Sequence, residues 1–179
     1  MATGVALAER VPLQDEVEAL LGGGLPAAAQ DHLKAAAECY AHSEKALEHL
    51  RAAETIAPGH PAVLIGLYRF YFYKGRLEEC LEVALVCLVE AAHHNNLRED
   101  WREVRKDDAA FGSYDDMMPR FYMFVLKGYA YLQMRLGNLE EGLAAAMKLL
   151  DLDPTDKIGA TLLLEVHQRM LEKDDDDAD

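Results

Sequence analysis

The side chains able to do chemistry are few and scattered. Glu90 and His93 have the Glu-x-x-His spacing with which a helix offers a carboxylate and an imidazole to a di-iron centre. Such a centre needs that motif on two helices and further inward glutamates, and the sequence holds no second copy. His93 and His94 together could take up a stray transition metal, but the polar end of a helix explains the pair better. His32, His42, His49 and His167 fall singly within helical stretches and read as packed or solvated imidazoles. Cys39, Cys80 and Cys87 are odd in number and widely spaced, with no Cys-x-x-Cys and no Cys/His finger among them. They read as small buried hydrophobes in a reducing compartment, not as a disulfide framework. No Gly-rich phosphate loop, Gly-x-Ser-x-Gly elbow or His-Glu-x-x-His pair occurs. The sequence therefore predicts no catalytic residues, no metal site, no cofactor and no enzymatic activity.

Charge narrows the partners. Acidic residues outnumber basic ones by 32 to 18, for a formal charge of -14 over 179 residues. Phosphate neutralisation needs the opposite balance, so no nucleic acid is expected. The longest stretch without Asp, Glu, Lys or Arg is Thr55–Tyr68, 14 residues with two prolines. A membrane helix requires roughly 18 or more, so no membrane partner is expected either. The first residues carry no leading positive charge and reach an acid at Glu9, which does not fit a secretory signal. A soluble cytoplasmic protein is the expectation. Arg98, Arg102 and Arg105 near Trp101 could contact phosphate or an acidic peptide. The acids interleaved with them favour a solvated face of i,i+4 ion pairs. The acidic end, residues 173–179, reads as a disordered, solubilising tail.

The elements that carry these residues are helical. Apolar residues recur at i, i+3, i+4 and i+7 almost throughout, and no alternating β-branched run argues for a strand. A short helix over Val11–Leu21 stops at Gly22-Gly23-Gly24 and closes an N-terminal segment, 1–24. Further helices are predicted over Ala27–His42, Ser43–Ala57, a stretch opening at Pro61 and broken at Gly75, and Leu77–Ala92. His93–Asn96 turns the chain, a short charged helix follows over Leu97–Lys106, and Asp107–Asp116 reads as a loop. Three more helices follow over Phe121–Leu136, Leu139–Leu152 and Lys157–Glu172.

The pairs share a pattern. One reads Leu64-x2-Leu67-Tyr68-x2-Tyr71, then Gly75, then Cys80-x3-Ala84-x2-Cys87. Another reads Leu126-x2-Tyr129-Ala130, then Gly137, then Gly142-x3-Ala146-x2-Leu149-x4-Pro154. The first pair ends in Ala46-x3-Leu50-x2-Ala53-x4-Pro58. The turns Lys74-Gly75-Arg76-Leu77-Glu78-Glu79 and Leu136-Gly137-Asn138-Leu139-Glu140-Glu141 match one another. These units resemble tetratricopeptide repeats. The resemblance covers Ala27 to Pro154 and implies an all-α, TPR-like array of antiparallel helix pairs spanning 25–172, with Lys157–Glu172 as capping helix. It departs from the family where Gly75 and Gly137 lie 62 residues apart, which makes residues of about 93–118 an insertion or interruption. The first turn, Ala41-His42-Ser43, also lacks its glycine, and Ala92 stands where the second unit would close with proline.

In such arrays the first helix of each pair lines a concave groove for a polypeptide. The resemblance implies a lining of Ile65, Arg69, Phe72 and Tyr73 from one pair and Phe124, Lys127, Tyr131 and Met134 from the next. Burial of a partner's apolar side chains is expected there, with Arg69 and Lys127 setting its orientation. Family members that clamp the carboxylate of heat-shock chaperone tails use Lys, Asn and Arg where this chain has Ile65, Ala62 and Gly66, so that ligand is not expected. The function implied is a non-enzymatic scaffold for a protein or peptide partner, with a homodimer also open. A bacterial secretion-type chaperone and a metal- or cofactor-handling protein using Glu90, His93 and His94 are the alternatives. Leu126–Val166 also faintly resembles repeat proteins found beside nitrogen-fixation genes, without a diagnostic motif.

Overall fold

A computed structural model describes residues 23–113 and 115–176. The helix expected over Val11–Leu21 lies outside the described residues. The described residues up to Val63 belong to one compact unit and those from Leu64 to a second. Among the described residues every regular element is helical.

The first unit contains α1 (Ala27–Glu38) and α2 (Ser43–Ile56), packed against each other. Their seam is lined with small residues: Ala29, Ala36, Ala46 and Ala53 are all buried, which lets the backbones approach closely. α1 stops at Glu38, four residues before the expected His42. The chain turns there without glycine, the His42 N–H donating to Cys39 O at 2.8 Å. At the end of the unit His60 Nδ1 accepts from the Ala62 N–H at 3.2 Å, a cap for α3 (Pro61–Tyr73), with Pro61 opening that helix.

The second unit comprises the rest of α3, α4 (Leu77–His94), α5 (Met117–Arg135), α6 (Leu139–Leu152) and α7 (Thr161–Asp176). α4 packs on α5, α5 on α6 and α6 on α7, with α7 also touching α5. That order is an all-α, tetratricopeptide-like array of antiparallel pairs with a terminal helix.

The repeat is physical as well as textual. At the end of α3 the Gly75 N–H donates to Phe72 O (3.1 Å) and the Arg76 N–H to Tyr71 O (2.9 Å). At the end of α5 the Gly137 N–H donates to Met134 O (3.1 Å) and the Asn138 N–H to Gln133 O (2.9 Å). Both are Schellman ends, and they require a left-handed residue. Gly75 has φ 72° and Gly137 φ 87°. Five residues on, the two helices of each pair cross closely. The Cys80 thiol donates to Tyr68 O at 3.4 Å, and a β-carbon on Gly142 would come within 2.8 Å of Ala130 O. Burial of Cys80 and Cys87 pushes both thiols up to about 12, so they pack as neutral hydrophobes. Cys39 is half-buried.

α4 and α5, on either side of the insertion, pack directly on one another. Asn96 (φ 53°) ends α4 two residues later than expected, at His94. The charged helix expected over Leu97–Lys106 is only a 3-10 turn, Trp101–Glu103, capped by Asp100. Too few of its residues are apolar at helical spacing to bury one face. Instead Leu97, Trp101, Val104 and Phe111 are buried singly and pin the segment down as a strap. Trp101 lies 6.2 Å from Tyr129 and Phe111 lies 5.9 Å from Tyr122, ring to ring. The Lys148 ammonium donates to Val104 O at 2.9 Å. Arg102 grips the Glu141 carboxylate with 2.5 and 2.6 Å bonds, and Glu141 also accepts from the Tyr129 hydroxyl at 2.5 Å.

Two further boundaries differ from expectation. α5 begins at Met117, two residues before Pro119, which the first turn of a helix tolerates. α7 begins at Thr161, not Lys157, because Asp153 and Asp156 hold residues 153–160 in turns. Asp156 accepts from the Ala160 and Thr161 N–H groups and caps the helix. At its far end α7 continues to Asp176. No glycine or proline follows Gly159 to stop the helix.

Candidate functional site

The expected groove faces lie on α3 and α5, and the second unit brings these helices side by side. Phe72 and Tyr131 meet with ring centroids 6.0 Å apart, and Tyr68 stacks on Phe72 at 6.0 Å. The contact can be this close because Gly128 has no side chain. A β-carbon there would come within 2.7 Å of the Tyr68 hydroxyl oxygen. Burial pushes the Tyr68 phenol well above its ordinary range, so it stays protonated. Flanking this seam are Ile65, Arg69 and Phe124, all half-buried, and Tyr73, which is 53% exposed and sets its ring edge against Phe72.

Three expected members also make interior contacts. Met134 is buried, with its Cγ against Gly142 in the interior of its own helix pair, so it does not line a surface. It follows the same helix stripe as Tyr131, but a glycine on α6 draws it inward. Lys127 is half-buried and donates to Ile158 O at 2.6 Å. Burial lowers its amine below the ordinary lysine range, opposed by nearby Asp156. That bond ties α5 to the turn before α7. Tyr131 is 9% exposed, its hydroxyl accepting from Arg135 at 2.9 Å while the guanidinium also lies 5.7 Å from the ring centroid.

Other residues join the face without having been expected there. Tyr68 and Gly128 form its floor, Arg135 closes one side, and Leu162, 46% exposed, lies beside Gly159 near Lys127. The Gly128 signal was present in the sequence as a lone glycine inside a helical pattern. Leu162 could not be placed without knowing where α7 starts.

Of the Glu90–His93 pair, His93 Nε2 meets the Glu99 carboxylate at 2.7 Å, and His94 is exposed. Among the described residues no group of three or more His, Cys, Asp or Glu is placed to hold a metal ion. Nor, among these residues, is any helix long and apolar enough to cross a membrane.

Fold and surface together define an all-α protein of stacked helix pairs with an aromatic seam between the first helices of two pairs. It is 38% identical over 132 residues to an uncharacterized 19.8 kDa protein in the nifW 5′ region of Azotobacter chroococcum mcd 1, a match covering 73% of each chain. The chain belongs to the family of that protein. No family model matches it, and no solved structure does.

Proposed function

We propose that this protein is a non-enzymatic scaffold of the tetratricopeptide kind, which binds a polypeptide along the α3–α5 face. The reading rests above all on the Phe72–Tyr131 contact. It sets two helices side by side with Ile65, Arg69, Tyr73 and Phe124 still partly open to solvent around an aromatic floor. Tyr and Phe supply large contact area at low entropic cost, and the cationic Arg69 favours a partner segment with apolar anchors and some acid. The relative's place in the nifW 5′ region makes the nifW product the first candidate partner to assay.

The test is titration of the purified candidate partner against wild-type protein and an Arg69→Glu/Tyr73→Ala variant. Binding at least about tenfold weaker in the variant, with its helical circular dichroism intact, is expected, since a truncated interface anchor costs about 1–2 kcal/mol or more. Unchanged affinity would remove the groove from the account. Lys127 is left alone, because its bond to Ile158 O makes it a structural residue.

A further inference from the structure

We infer that His32 and His49 form a binding site for a borderline divalent transition-metal ion such as Zn2+, Ni2+ or Cu2+. His32 stands on α1 and His49 on α2, 17 residues apart in sequence. In the folded hairpin their Nδ1 atoms face one another at 3.0 Å, with ring centroids 5.3 Å apart and planes inclined by 41°. Two nitrogens so placed cannot both carry a proton. One donates and the other accepts, or both present lone pairs to the same point. The second arrangement is repulsive by itself and becomes favourable with a cation between the rings.

The geometry is close to that of a metal-bound pair. With Zn–N bonds of about 2.0–2.1 Å in a tetrahedral shell, two ligating nitrogens sit about 3.3 Å apart. Opening the observed pair by a few tenths of an ångström is within reach of small χ rotations. The rings are half-buried, and the alanine-lined seam between α1 and α2 fixes the distance between the helices that carry them, so the site is largely pre-organised. Neutral imidazole favours zinc, nickel and copper over the oxygen-seeking magnesium and calcium. Since no third His, Cys, Asp or Glu among the described residues completes the shell, water fills the other positions and the ion exchanges readily. A bound ion would cross-link the hairpin and stabilise it, because the two nitrogens converge only in the folded state.

Calorimetric titration of the full chain with zinc chloride tests this. One saturable site is expected, with affinity falling at least about tenfold in His32→Gln and in His49→Gln, and unchanged in His93→Gln/His94→Gln. Nitrogen-15 spectra of the wild-type imidazoles give a reading that needs no variant, and zinc should move the Nδ1 resonances of two histidines, His32 and His49. The inference is overturned if wild-type protein takes up no zinc saturably, if the His32→Gln/His49→Gln protein binds it as tightly, or if the shifted resonances belong to His93 and His94.

Discussion

The hydroxyl of Tyr68 on α3 occupies the space that a β-carbon on Gly128 of α5 would need, at 2.7 Å. That one missing methyl sets how near two successive first helices lie. It thereby sets the Phe72–Tyr131 contact beneath the proposed binding face.

Gly128→Ala should therefore lower stability by about 1–3 kcal/mol, even though alanine is the better helix former. The gain in propensity, about 1 kcal/mol, is smaller than the cost of displacing the packed, half-buried Tyr68 ring. Removing the hydroxyl as well, in Gly128→Ala/Tyr68→Phe, should recover part of the loss. Urea melts of the two single variants and the double variant measure the coupling, and additive effects would contradict the assigned contact.

The strap can be followed by its own probe. Trp101 is the chain's sole tryptophan, 7% exposed, with the Arg102 guanidinium 4.3 Å from its ring. Its emission should be blue-shifted in the native protein and should change at the same urea concentration as the helical signal. Trp101→Ala should cost about 3–5 kcal/mol, as expected for emptying an aromatic site. An earlier fluorescence transition would mean that the segment melts separately from the helices under it.

Asp153 predicts an acid limb. It is buried, 3% exposed, which by itself disfavours its charge. Hydrogen bonds from the Thr155 hydroxyl and N–H and the Lys157 N–H outweigh that penalty and hold its carboxyl below the usual range. A folded-state pKa below the unfolded one stabilises the fold above about pH 4, and that contribution is lost as the pH falls through the folded value. Asp153→Ala should cost about 1–3 kcal/mol at neutral pH. Its stability should fall less steeply than wild type between about pH 4 and pH 2, as read from thermal melts across that range.

The helices and their turns were legible because local physics writes them. Gly75 and Gly137 mark left-handed ends that few other residues accept, and the apolar spacing marks the faces that pack. The strap was not legible as such, since Leu97, Trp101, Val104 and Phe111 are buried one at a time against partners distant in sequence. For the same reason the His32–His49 pair could not be read from two lone histidines. On the candidate face, spacing alone placed Met134 beside Tyr131. The glycine at 142 that pulls it inward lies on another helix. Nothing near Lys127 in sequence shows that its ammonium donates to the Ile158 carbonyl, 31 residues away.

Site-specific photo-cross-linking tests the central claim most directly. A benzophenone side chain would replace Tyr73 or Phe124 on the proposed face, and Met147, exposed on α6, as control. In extract from the native host, positions 73 and 124 should capture one and the same polypeptide, and position 147 should not. Capture from position 147 alone, or equal capture of that polypeptide from all three positions, would contradict the account.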